Sequence, residues 1–136
     1  MKATGLCIVI GCFLLSGCRS DVIQENCSPV RLATDLNTLT SVDLFTIQEV
    51  RSTESTLTVK FSYGGGCDPN HQFDLYVQPL HSTAIQAFEG RVIFSTKDAC
   101  KRLDTKEFCF DMTTLKNKYP SGGIIQLKGF KEPISF

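Results

Sequence analysis

Between Leu57 and Tyr63 the chain alternates without a break. Leu57, Val59, Phe61 and Tyr63 are apolar or aromatic, and Thr58, Lys60 and Ser62 between them are polar. A period of two marks a strand that buries one face. A slip of one residue would turn the whole apolar set to water, so the pattern also fixes which face is core. Gly64-Gly65-Gly66 ends the run, because three glycines permit positive φ and favour neither helix nor strand. The same period returns at Phe73, Leu75 and Val77, with Asp74, Tyr76 and Gln78 on the other face. Pro79 predicts a stop there or a sheet edge. Val92-Ile93-Phe94, within Arg91 to Ser95, predicts a short strand, and Phe108, Phe110 and Met112 alternate with Cys109 and Asp111. Val42 to Val50 is mixed and moderately β-prone. Cys27 to Leu39 holds a strand or a short helical turn. Thr113 to Tyr119 predicts a short helix, ended by Pro120 and Gly122-Gly123, and Ile124 to Phe136 gives one or two closing strands.

About five to eight short strands with glycine and proline breaks predict an all-β fold, an antiparallel β-sandwich or a partly open barrel, with one short helix near 113–119. No helical run has the length or amphipathic face of a βαβ crossover. No internal repeat is present.

The N-terminus departs from this pattern. Lys2 precedes an almost purely apolar stretch, Leu6 to Leu15, broken only by Gly11. About ten residues is too short for a membrane-spanning helix, which takes roughly 20, but it suits the h-region of a signal peptide. Small residues, Ser16 and Gly17, then stand before Cys18. Leu15-Ser16-Gly17-Cys18 resembles a bacterial lipobox. The resemblance implies diacylglycerol on the Cys18 sulfur, cleavage before Cys18 and an acylated new N-terminus. Two or three acyl chains hold a protein stably, since each buried methylene contributes about 0.8 kcal/mol. Arg19, not Asp, follows Cys18, which resembles the outer-membrane class in the enterobacterial sorting pattern. The expected organisation is a signal peptide over 1–17, a tether over 18–26 and a single β-rich domain over 27–136. The expected location is the bacterial cell envelope, with the chain lipid-anchored at the outer membrane.

Composition narrows the partners. Basic and acidic residues number 14 each, and the formal net charge is zero. Only Lys101 and Arg102 are adjacent basic residues, so nothing points to nucleic acid. Of the cysteines, Cys7 and Cys12 fall in the signal segment and Cys18 takes the lipid. Cys27, Cys67, Cys100 and Cys109 remain, and four cysteines in an exported chain read as two disulfides. All three pairings are open. The short polar insert favours Cys100–Cys109, which leaves Cys27–Cys67 by elimination.

The densest polar stretch runs from Gly64 to Asp74 and holds Cys67 and His71. The two residues are a candidate thiolate and base, or two metal ligands. Zinc takes three or four protein ligands, and the only other histidine is His81. No orienting partner for an activated cysteine is legible, so the simpler reading is a disulfide cysteine in a turn. The glycine run lacks the Gly-Lys-Ser/Thr ending of a phosphate loop. Ser121-Gly122-Gly123 lacks a nucleophile elbow. Asp98, Asp104 and Glu107 lack calcium-loop spacing and read as solvated charges. No catalytic residue and no cofactor is expected.

Tyr63-Gly64-Gly65-Gly66-Cys67, His71, Phe73 and Leu75, followed by Asp98, Cys100, the Phe108–Met112 strand, Leu115 and Ser121 to Leu127, are similar to small uncharacterised lipoproteins of Bacteroidetes type. Those carry a Gly-Gly-Cys…His-x-Phe segment and a later Cys ahead of a Phe-Asp-Leu strand, where this chain has Phe110-Asp111-Met112. The resemblance covers roughly Val59 to Phe136. It implies an exported, β-sandwich-like protein with no assigned activity. The expectation is therefore a non-enzymatic, lipid-anchored binding module whose partner is an envelope protein, a glycan, or a toxin or hydrolase that it neutralises. The alternatives are a metal-binding or redox lipoprotein using Cys67 and His71, and a structural envelope component.

Overall fold

The computed structural model describes residues 26–41, 43–67, 71–81 and 85–136. The signal-like segment, Cys18 and nearly all of the expected tether lie outside the described residues. The alternating segments form long strands, β4 (Thr56–Gly64) and β5 (Gln72–Leu80), and the short run expected over Arg91 to Ser95 is the second half of a strand just as long, β6 (Ala87–Ser95). Around them stand β1 (Ser28–Pro29), β2 (Arg31–Leu32), β3 (Phe45–Ser52), β7 (Leu103–Asp111), β8 (Ile124–Leu127) and β9 (Ile134–Ser135). Among the described residues a 3-10 turn, Leu36–Thr38, follows β2, and one α-helix, α1 (Thr113–Lys118), follows β7.

The strands make two sheets, ordered β1-β7-β4-β3 and β2-β5-β6-β8-β9. The core lies between them. Leu57, Val59, Phe61 and Tyr63 of β4 and Phe73, Leu75 and Val77 of β5 are all buried, as the alternation requires. Phe73 is the middle of an aromatic stack, with Phe61 and Phe94 each 4.3 Å away and nearly parallel to it. The fold is thus an all-β sandwich, and its sheets are mixed rather than purely antiparallel. Three pairs run parallel: β1 with β7, β2 with β5, and β6 with β8. The first two arise because the chain changes sheets at the buried Val30. The Val30 N–H donates to Asp111 of β7, and three residues later Ala33 donates to Val77 of β5. The third arises because β7 crosses to the other sheet before the chain returns as β8.

Three local departures have physical causes. Val42 to Val50 reads as mixed because the β3–β4 register shifts between Ile47 and Glu49. Phe45, Ile47 and Val50 therefore all pack on the core, although their spacing is not regular. Pro79 does not stop β5. It pairs with Phe88 of β6, beyond the point where two-residue β2 has ended on the other side, so its missing N–H costs no ladder bond there. Strand β7 begins at Leu103, earlier than the alternation over Phe108, Phe110 and Met112 indicates. Apart from the exposed Leu103, its first half is polar, and it has β4 on one side and, short of β1, no strand on the other. Charged residues on an open edge discourage pairing with other chains.

The disulfides are Cys27–Cys109 and Cys67–Cys100, which corrects the favoured pairing of Cys100 with Cys109 and of Cys27 with Cys67. Leu103 to Cys109 is extended strand, which carries Cys109 roughly 20 Å from the β7 start, at about 3.3 Å per residue. No fold-back is possible. Instead Ser28 pairs with Phe110, which sets Cys27 beside Cys109 with Cα atoms 4.6 Å apart. Cys67 and Cys100 meet just past the β4–β7 ladder, with Cα atoms 5.9 Å apart.

Candidate binding groove

The Cys67–His71 region is a braced turn. Gly65 takes φ +100°, the left-handed region the glycine run permits, and its N–H and that of Gly66 donate to Arg102. A Cβ on Gly66 would fall 2.6 Å from the Asp104 Cβ, so this glycine is there for close approach. Asp98 accepts from the Cys67 and Cys100 amides, one with each carboxylate oxygen, at 2.9 and 2.8 Å. Asp98 is therefore a clamp on the disulfide. Glu107 pairs with Arg51 on the sheet surface. Cys67, bonded to Cys100, offers no thiolate to the alternative site with His71. Among the described residues no three His, Cys, Asp or Glu side chains are grouped to hold a metal ion.

Beneath the turn lie two polar side chains with no signature in the alternation. Among the described residues the Tyr63 hydroxyl and both ring nitrogens of His71 are buried without hydrogen-bond partners, and the rings meet edge-on at 4.8 Å. Burial, and then the Asp104 charge, push the Tyr63 phenol above its ordinary pKa. His71 thus reaches inward toward Tyr63 and Phe94, rather than outward to a ligand with Cys67.

The larger concavity is elsewhere. Residues 33–41 pass over the outer face of the second sheet, from the β2 edge to the far side of β6. The Leu36 N–H donates to the Gln78 side chain, and Arg91 donates to the carbonyls of Leu36 and Leu39 at 2.6 and 3.1 Å. Glu89 lies 3.2 Å from the same guanidinium. The chain then turns around the β6 edge, where Ser41 Oγ accepts from Phe94 N–H and shares its proton between the Phe94 and Asp43 carbonyls, and the Asp43 carboxylate accepts from Thr96 N–H. Between this turn, β3 and the end of β8 opens a groove of about 450 Å³. Leu39, Phe45, Ile47 and Val92 form its apolar walls, and Arg91 and Lys128 supply its charge. That volume is in the range of ligand sites. The groove places apolar surface and two cations together.

None of these groove residues stood out as chemistry in the sequence. Arg91 and Val92 read only as strand, and Lys128 as part of a closing strand. The groove is made by a crossing of segments far apart in the chain, which no local pattern encodes. Among the described residues no helix is long and apolar enough to cross a membrane.

No family and no curated protein matches the sequence. In structure the chain is similar to a Bacteroides vulgatus protein of unknown function, DUF1344, with a TM-score of 0.52 at 12% identity. The alignment covers 80% of this chain and 56% of that one, so this chain spans a little over half the length of the protein it resembles, and the likeness is one of fold.

Proposed function

We propose that this chain is a lipid-anchored protein of the bacterial envelope, held by Cys18 at the outer membrane, that works by binding a partner in the groove beside β6. The observation that carries the binding reading is the groove itself, with Phe45, Ile47 and Val92 beside Arg91 and Lys128. The lipobox-like Leu15-Ser16-Gly17-Cys18 supports the anchor, and two disulfides suit an oxidising compartment. Nine residues from Cys18 to Cys27 reach at most about 30 Å, so the sandwich stays close to the bilayer.

Two measurements test the parts separately. Cys18→Ala should move the protein to the soluble fraction or leave it unprocessed; unchanged membrane association and processing reject the anchor. A photo-crosslinking benzoylphenylalanine replacing Thr46, at the groove wall, should trap a discrete partner in intact cells, and the same probe replacing Lys101 should not. Equal products from both positions, or none from Thr46, reject the groove.

A further inference from the structure

Strand β6 has a gap in its outer edge. Backbone groups of alternate residues on an antiparallel strand face the same side. On the side away from β5, the Gly90 carbonyl accepts from Lys128 N–H, and the Phe94 N–H donates to Ser41 Oγ, whose one proton is shared between the Phe94 and Asp43 carbonyls. Val92 lies midway, so its N–H and C=O face that same side. Strand β8 has already ended, its last pair being Gly90 with Leu127, and the turn after it closes with Phe130 N–H on the Leu127 carbonyl. Among the described residues nothing on that side bonds Val92, which lines the groove. A donor and an acceptor at strand spacing are what one residue of another strand satisfies.

We propose that the groove takes an extended, acidic segment of a partner polypeptide, one residue of which exchanges N–H and C=O bonds with Val92. This rests on the binding reading above and names its partner class. Main-chain bonds to a sheet edge give such docking its affinity, and flanking pockets give it specificity. A side chain turned inward from the docked residue meets Phe45 and Ile47. Charge selects the acidic sequence: two of the lining residues are basic, Arg91 and Lys128, and none is acidic. Glu89 already engages Arg91, which leaves Lys128, exposed at the rim, as the selecting cation. The other long edge, β3, is a poor acceptor. Its ladder is interrupted by the shift at Ile47/Glu49, and its outer face carries Glu49 and Arg51 in ion pairs.

The probe is an acetylated, amidated pentapeptide alternating valine and glutamate, with a lysine-for-glutamate peptide as control, titrated into the disulfide-bonded chain and followed by amide NMR. The acidic peptide should shift the Val92 amide and, at tenfold excess over its dissociation constant, slow its hydrogen exchange about tenfold; the basic peptide should do neither. Lys128→Glu, an exposed change outside the core, should invert that preference. A Val92 amide that the acidic peptide leaves unmoved, or that both peptides shift alike, overturns the proposal. If the Thr46 crosslink succeeds in that event, the binding reading stands and only the strand-pairing inference falls. If the crosslink fails too, both fall.

Discussion

Cys67 and Cys100 face each other beyond the end of two antiparallel strands, each three residues past Gly64 and Leu103, the last pair of the β4–β7 ladder. The ladder register therefore dictates the bridge. Lys101, Arg102 and Lys106 lie between Cys100 and Cys109, and Arg31, Arg51 and Lys60 between Cys27 and Cys67. Arg91 and Lys97 separate Cys67 from Cys100, so a tryptic map without reductant places each of these four cysteines on its own peptide. It should show Cys27 joined to Cys109 and Cys67 to Cys100. By loop entropy alone the bridges are worth about 4.5 and about 3.7 kcal/mol for separations of 82 and 33 residues. They are nested, so the two values do not add. A Cys100–Cys109 peptide would contradict the β7 strand itself.

What was legible in the sequence follows the range of the forces involved. Alternation is a local signal, and it gave the inward faces of β4 and β5 residue by residue. Thr113–Lys118 was likewise legible from its helix-forming run and its Pro and Gly stop. Disulfide pairing, the sheet change at Val30 and the bulge after Ile47 depend on which strands become neighbours. So does the groove: Arg91 is an ordinary polar position on β6 until Leu36 and Leu39 cross above it. His71 looked like half of a surface site with Cys67, and only the fold shows its ring turned toward Tyr63.

Phe61 is fully buried and lies against Phe73, Phe45 and Phe108. Phe61→Ala empties the centre of the core, where neighbours on both sheets are held by their ladders and cannot close in. The expected loss is about 3–5 kcal/mol in urea unfolding. An unchanged midpoint would mean that β4 presents its other face.

Asp111 ends β7 and starts α1. One carboxylate oxygen accepts from both the Thr113 N–H, at 2.8 Å, and the Thr113 hydroxyl, at 2.6 Å. Those bonds, the hydroxyl first, hold the Asp111 pKa below its ordinary value, against a smaller effect of burial. A lowered pKa means that the stabilisation is complete above the unfolded value near pH 4 and fades as pH falls through the native one. Asp111→Ala should cost about 1 kcal/mol at neutral pH, as loss of a hydrogen-bonding side chain does. Its stability deficit should shrink when unfolding is measured below about pH 3. A deficit that does not vary with pH would mean the carboxylate is not the group that holds the turn.

Tyr63 gives the opposite sign. Its hydroxyl is buried with no hydrogen-bond partner, among Phe73, Phe94 and His71. An unpaired buried hydroxyl costs about 1–3 kcal/mol of desolvation. Tyr63→Phe should therefore raise stability at pH 7, by about 1 kcal/mol after allowing for partial hydration of the unfolded chain. The pH dependence is independent of that gain. Burial first, and Asp104 second, raise the phenol pKa, so the folded chain keeps the proton after the unfolded chain has released it. The unfolded state then binds fewer protons, and stability falls as pH rises past about 10 toward the higher native value. Tyr63→Phe should flatten that alkaline limb. Asp104→Asn, which removes only the nearby charge, lowers the native value and leaves the unfolded one, so it should flatten the limb in part. Urea midpoints at pH 7 and about pH 10.5 measure both effects. A Tyr63→Phe protein that is less stable at pH 7 would show that the hydroxyl has a partner, such as a bound water reaching His71.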